Sequence, residues 1–551
     1  MVVRATMLRL AQSLLPRAAR AAPLTSSLSA IAACSAPVRQ TGWAAFSARA
    51  FASGPAASLL PAARSSFVPL VASRAASSGC ASARQAVSKV SVGSSASPLR
   101  SFASSAASAS SAPAAASAAA AAAPSAARAW DIVPAGVSPA ARRALAAWFG
   151  ASAAWVGVLI VLGGITRLTR SGLSMTDWKF SGERRPRTPE EWEAEFDKYR
   201  KSPEFRLVNS RMTVDEFKFI YWMEYGHRTW GRLLGAVFLL PATYFVATGA
   251  LRGALARRVA LLFAAGGTQG LVGWWMVRSG LGEQAERRDV PRVSPYRLAS
   301  HLASAMAIYA GLVWTCLDVL RGGSSLEGDA AAARAARAAA ASGEATLSSS
   351  AKKLLALDVP AAAASARRLL GPLRPAVLLV AVTALSGAFV AGNDAGRAYN
   401  TFPDMNGEWI LEEYWTVGGW RNAFESTAAV QLHHRLLAYS TLAATTALAV
   451  WSSRGLALAP RAGHLVAAVA GAAWAQAALG VTTLLLYVPV ELGSAHQTGA
   501  LVVLTGALAA LHAARRDAGV LGANAALGAR YALPATVAGL AAVAYAVTNH
   551  E

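Results

Sequence analysis

Four histidines stand in apolar surroundings at matched places of a chain that is written twice. His227 lies in Glu224-Tyr225-Gly226-His227-Arg228, and His434 in Gln431-Leu432-His433-His434-Arg435. His301 lies in Ser300-His301-Leu302-Ala303-Ser304-Ala305, and His496 in Ala495-His496-Gln497-Thr498-Gly499-Ala500. Between them, Thr268-Gln269-Gly270-Leu271-Val272-Gly273 matches Ala475-Gln476-Ala477-Ala478-Leu479-Gly480, and Gly163 with Gly172 keeps the spacing of Gly387 with Gly396. Four matches in one order describe a duplicated unit of four elements. Each copy carries a histidine on its second element and another on its fourth, which pairs His227 with His301 and His434 with His496. Imidazole pairs inside a membrane bundle can hold heme iron. A single such histidine could equally make an interhelical hydrogen bond. Four at matched positions favour ligation, because ionisable groups in spans are costly and usually functional. Two imidazoles per site without thiolates would leave zinc under-ligated.

The copies differ at one titratable position. Glu224 shares a helix face with His227, three residues on; its counterpart is Gln431. A carboxylate can move protons or stabilise charge, and an amide cannot titrate. The expectation is a reactive site in repeat one and a stable, electron-carrying site in repeat two. The competing reading is that Glu224 only pairs with Arg228, which also lies on its face. Arg167, Arg170, Arg228 and Arg435 fall at outer ends of spans, where they could bind heme propionates or lipid headgroups. His433 points about 100° from His434 on a helix and is matched by Gly226, so it is expected to be structural or solvent-facing. His464, His512 and His550 have no repeat partner, and structural roles are expected for them.

The elements that must carry these residues are membrane spans. Of 551 residues, 54% are hydrophobic and 15% charged, a membrane-like balance. Apolar stretches of about 20 residues, the length of a span, lie near 147–167, 229–250, 258–276, 299–320, 375–393, 434–452, 463–487 and 496–514. The predicted fold is all-α, with eight transmembrane helices as two pseudo-symmetric four-helix bundles. Repeat one runs from 140 to 322 and repeat two from 373 to 515, joined by an Ala-rich linker over 323–372. A tail over 516–551 contains an apolar stretch at 531–548 without a counterpart in the repeat.

Residues 1–130 hold eleven Arg, one Lys and no acid. They read as an organellar transit peptide with a low-complexity segment, and they supply +12 of the net charge of +23. The rest is spread over loops, so nucleic-acid binding is not indicated. Cys34 and Cys80 fall in the presumed leader, which leaves Cys316 alone and excludes a disulfide framework. With the N-terminus inside the organelle, the basic loops 251–258 and 453–462 fall inside. The acidic loop 394–429 falls outside, as the positive-inside tendency asks. All four histidines then start even-numbered spans, at similar depth toward the outer face.

Several runs taken together resemble mitochondrial heme A synthases. They are Gly163-Gly164-Ile165-Thr166-Arg167-Leu168-Thr169-Arg170-Ser171-Gly172-Leu173-Ser174, Trp222-Met223-Glu224-Tyr225-Gly226-His227-Arg228, Gly387-Ala388-Phe389-Val390-Ala391-Gly392-Asn393-Asp394-Ala395-Gly396, Tyr399-Asn400-Thr401-Phe402-Pro403 and His496-Gln497. The resemblance covers about 140–515. It implies an eight-span enzyme of the mitochondrial inner membrane that oxidises the C8 methyl of heme O to the formyl of heme A, for cytochrome c oxidase. It implies heme b as cofactor on His434 and His496. Heme O would be the substrate on His227 and His301, with Glu224 close to the chemistry and Arg167, Arg228 and Arg435 as cofactor-binding residues. An external electron donor, a ferredoxin among the candidates, and a homo-oligomeric state belong to the same expectation. Some bacterial relatives carry a cysteine pair in an outer loop; its absence places the chain in the cysteine-free branch. The alternative is a non-enzymatic diheme b-type electron carrier, against which the difference between Glu224 and Gln431 counts.

Overall fold

The computed structural model describes residues 131–519, apart from 180, 283–289, 322–324 and 342–345. The expected leader and the apolar stretch at 531–548 lie outside the described residues. Eight helices are long and apolar enough to cross a membrane. They are α1 Pro139–Leu168, α2 Val214–Ala247, α3 Gly253–Leu281, α4 Pro295–Arg321, α5 Val359–Gly392, α6 Thr427–Gly455, α7 Pro460–Leu485 and α8 Val490–Asp517. Among the described residues the only β-bridge is the isolated pair Met405–Glu408.

Local sequence sets the helix starts. The Ser138 side chain accepts from Ala141 N, with Pro139 in the first turn of α1. Thr213 and Glu216 form a reciprocal capping box on α2, and Ser426 caps α6. Each satisfies backbone donors that the first turn leaves unpaired. The apolar stretches understate two helices. α2 starts at Val214, well before its apolar stretch, because Phe217, Ile220 and Tyr221 bury themselves in an outer lobe. α5 starts at Val359, inside the Ala-rich segment, with Pro372 and Pro375 within it. The linker is helical over Leu326–Ala341 and Ser349–Leu355.

Within repeat one, α1 packs on α2 and α4, and α3 on α4; repeat two repeats this with α5 on α6 and α8, and α7 on α8. Between the repeats α1 meets α8, α4 meets α5, and α4 meets α8. Exchanging the repeats carries this contact set into itself. With the histidine end of the bundle named outer, Asp318 of α4 on the opposite, inner side takes Arg258 of α3 at 2.5 Å and His512 of α8 at 2.9 Å. His512 is therefore a tie between the repeats.

The outer lobe is made by the loop 169–213. Short helices Pro189–Arg200 and Pro203–Leu207 press Trp192, Phe196 and Tyr199 onto Phe217 and Tyr221 of α2. Glu204 is buried there; Tyr199 Oη donates to it at 3.1 Å and itself accepts from Asn209 at 2.7 Å. Burial first, and the nearby Glu224 charge second, push the Glu204 carboxyl from its usual 4.5 up to about 7, against the Tyr199 hydrogen bond and the charges of Arg170 and Arg167. A raised value in the folded state means that protonation favours the folded lobe. This stabilisation is complete below the unfolded value and is lost as pH rises through about 7. Hydrogen exchange over 189–207, corrected for intrinsic rates, should show more protection at pH 5 than at pH 8, and Glu204→Gln should remove the difference. Equal protection at both pH values in the parent chain would refute this.

Candidate functional site

Each histidine enters the bundle from the outer part of its helix. His301, His434 and His496 lie six, seven and six residues into α4, α6 and α8. His301 is twenty residues from the inner end of α4, about 30 Å at 1.5 Å per residue. His227 lies deeper in α2 by count, because the first turns of that helix belong to the outer lobe. His301 is within Coulombic reach of His227, and His434 of His496. The structure thus joins the two pairs drawn from the repeat.

Every one of these imidazoles is seated against a glycine of a neighbouring helix. A methyl group on Gly163 would lie 3.1 Å from Cε1 of His227, and one on Gly387 would lie 3.5 Å from Cε1 of His434. On Gly273 it would be 2.9 Å from Cε1 of His301, and on Gly480 2.7 Å from that of His496. These are the repeat-matched glycines, so the duplicated spacing encodes four seats for rings. Replacing glycine by alanine inside a helix ordinarily gains about 1 kcal/mol, and overpacking a tight contact costs about 1–3 kcal/mol. Gly480→Ala should therefore displace the His496 ring and alter the absorption of any heme bound there. Gly471→Ala, where a methyl would meet nothing within 4 Å, should leave the spectrum alone. Identical spectra for the two variants would remove the seating role.

The fourth-element histidines are held alike. Gln269 places its amide nitrogen 3.1 Å from Nδ1 of His301 and donates to the His301 carbonyl at 2.9 Å. Gln476 does the same to His496 at 3.0 and 2.7 Å. The second-element histidines are not held alike. Ser386 Oγ lies 2.7 Å from Nδ1 of His434, while Nδ1 of His227 is buried without a partner. Gln497, next to His496, reaches into the other repeat, donating to Ile160 O at 3.0 Å and closing over Gly164 so tightly that a methyl group there would collide with its amide.

The outer ends of α2 and α6 clamp loops. Glu224 is buried; its Oε2 accepts from Ser174 Oγ at 2.7 Å and Met175 N at 2.9 Å, and its Oε1 pairs with Arg228 at 2.7 Å. Arg228 also donates to the carbonyls of Met175 and Asp177 and lies 3.6 Å from Glu183. In repeat two, Arg435 donates to the carbonyls of Tyr399, Thr401, Pro403 and Asp404, and Gln431 donates to Tyr399 O at 3.3 Å. Arg167 crosses between repeats to Ala391 O at 2.7 Å and Asp394 at 3.3 Å. Arg170 and Arg292 stand 3.8 and 3.7 Å from the same carboxylate. His433 turns to Tyr414, with Nε2 and Oη 3.0 Å apart, away from the His434 pair.

Sequence reasoning missed Ser386, the ring seats and the wedge of Gln497. The repeat register names the glycines and glutamines but not what they touch, and Ser386 has no counterpart, since Leu162 holds its place in repeat one. Among the described residues no cluster of three or more His, Cys, Asp or Glu side chains could hold a metal ion. Each site offers two imidazoles, a donor set suited to heme iron.

The family model of a cytochrome oxidase assembly protein matches residues 146–508. The heme A synthase of Arabidopsis thaliana is 48% identical over 379 residues, covering 69% of this chain and 76% of that protein. The mouse heme A synthase is 43% identical over 381 residues, covering 69% and 84%. A fusion of heme A synthase with mitochondrial ferredoxin in Schizosaccharomyces pombe is 40% identical over 380 residues, covering 66% and 59%. A match over all eight spanning helices, together with identities of this size, shows that the chain belongs to the cytochrome oxidase assembly protein family of the heme A synthases.

Proposed function

We infer that this protein is a heme A synthase, an oxidoreductase of the mitochondrial inner membrane that converts the C8 methyl of heme O into the formyl of heme A. The names of the relatives support the activity, and one observation supports the division of roles between the two sites. His434 is held by Ser386, whereas the matched His227 has a buried Nδ1 with no partner. Outer partners that fix a ligating imidazole are part of a permanent metal site. Repeat two, with His434 and His496, is the resident heme b site. Repeat one, with His227 and His301, receives the substrate.

Heme b between His434 and His496 would supply one-electron transfer. The chain's own groups do the rest. The four glycines let the imidazoles approach the neighbouring backbones, and Gln269 and Gln476 orient the rings of His301 and His496. The Glu224–Arg228 clamp holds the outer loop over repeat one. Oε2 of Glu224, already an acceptor for Ser174 Oγ, is the atom at which a proton would be held. The electron donor is external, and the ferredoxin fused to the Schizosaccharomyces pombe relative supports a ferredoxin in that role. Arg167, Arg228 and Arg435 support the sites by fixing the outer loops around them.

Pigment analysis tests the reading. The purified protein should contain heme b together with heme O, heme A or a hydroxylated intermediate. Heme b alone, in two equivalent sites, would establish the diheme carrier instead.

A further inference from the structure

The seam between α2 and α3 differs from its counterpart between α6 and α7. Phe238 of α2 and Phe263 of α3 stack with centroids 6.4 Å apart and mark where the two helices meet. Gly235 and Gly231 lie three and seven residues before Phe238; Gly267 and Gly270 lie four and seven residues after Phe263. Residues at these spacings share a helix face. Since α2 runs inward and α3 runs outward, both glycine pairs fall on the outer side of the aromatic stack, along the line where the helices confront each other. All four are exposed, and a methyl group on any of them would meet nothing within 4 Å. Further out, Trp178 of the loop and Trp274 of α3 come together with centroids 6.2 Å apart. The seam is thus pinned by the phenylalanine pair on its inner side, met by the loop at Trp274 further out, and bare between them. That bare stretch is level with Gln269 and Gly273, which hold His301.

Repeat two fills the same positions. In the register that matches His227 with His434 and Gln269 with Gln476, the four glycines become Ala438, Leu442, Trp474 and Ala477. The Trp474 indole donates to Thr446 Oγ1 at 3.1 Å and bolts α7 to α6. α6 packs along α7 far more extensively than α2 along α3. α3 buries only Leu255, Val259 and Gly280, all toward its ends. Four residues before Gly231, and so on the same face of α2, His227 carries a buried Nδ1 without a partner.

We propose that the glycine-lined seam between α2 and α3 is a lateral portal through which heme O enters repeat one from the lipid and its oxidised product leaves. The occupant follows from the geometry. A flat macrocycle carrying an apolar tail is soluble in the bilayer and needs a slot without side chains to slide edge-first between helices. The histidine pair to which the slot leads binds iron. A resident heme needs no such route, and the matched seam in repeat two is closed. The portal rests on the assignment of repeat one as the substrate site.

The test writes the closed seam into repeat one. The full chain in lipid nanodiscs, carrying Gly235→Leu with Gly267→Trp, is mixed with heme O, and uptake is followed by absorbance. The expected result is uptake slowed about tenfold or more, as for a gated site, with the same final occupancy and an unchanged heme b spectrum. Gly471→Leu, also open to lipid, should take up heme O at the parent rate. The converse change, Trp474→Gly, should speed the loss of heme b to a heme-scavenging protein. A parent-like uptake rate in the seam variant, with binding that still requires His227, overturns the portal alone. Heme O binding at the parent level in His227→Ala overturns the assignment of repeat one, and the portal with it. Unaltered heme b loss in Trp474→Gly overturns the seal, even if the doubly substituted chain does not fold.

Discussion

His434→Ala and His496→Ala should each strip the resident heme b from the purified protein, while His433→Ala keeps it. Removing only an outer partner of a ligating histidine typically costs about 10–100-fold in metal affinity, so deleting the ligand itself should cost more. The contrast with His433 is sharp because the two histidines are sequence neighbours on one helix. His434 faces Gly387 and Ser386 inside the bundle; His433 meets Tyr414 of the outer loop. Absorption spectra of the three variants at matched protein concentration decide the matter. Heme retained by His434→Ala but lost from His433→Ala would place the resident site on the wrong face of α6. Ser386→Ala is a graded companion: it should weaken heme b without abolishing it.

Glu224→Gln should fold, keep heme b on His434 and His496, and convert heme O poorly. Loss of general acid–base help is worth about 10²–10⁴ in rate, and the variant should accumulate heme O or a partly oxidised product. The substitution copies Gln431 into repeat one with almost no change in volume. It also removes the negative charge paired with Arg228 Nη2, 2.7 Å away. Breaking a buried ion pair destabilises by leaving a charge uncompensated, but here Glu183 and two loop carbonyls remain around the same guanidinium. Proteolytic protection of the outer lobe therefore separates the two roles. Low conversion with an intact lobe assigns the acid to the chemistry. Normal heme A output would make Glu224 a loop anchor only.

The positions along the chain were legible, and the contacts across it were not. Spacing alone placed His227, His301, His434 and His496 on the right helices, because a repeat and a run of apolar residues both count along one element. The same arithmetic turned His433 away from His434. It offered two partners for Glu224, and the structure contains the ion pair with Arg228. The outer extension of α2 escaped notice because the turns over 214–228 are amphipathic and bury their aromatic side against the lobe, not against lipid. The arginines at the outer ends were read as binding heme propionates or lipid headgroups; the fold also ties Arg228 and Arg435 to loop carbonyls that no pattern in the sequence announces. Ser386 was invisible for the opposite reason: it is the feature in which the two copies fail to match.

One pair of residues bears on how such a chain can be built at all. In the register that aligns Gly163 with Gly387, Arg170 aligns with Asp394. Both adopt left-handed backbone conformations, with φ of 54° and 52°, and they face each other across the junction at 3.8 Å. Identical halves would bring arginine to arginine or aspartate to aspartate there, and like charges at such separation repel. Split between the repeats and coexpressed, the halves of this protein should prefer unlike partners to copies of themselves. Each half carries a charge that the other answers, with Arg167, Arg170 and Arg292 of the first around Asp394 of the second.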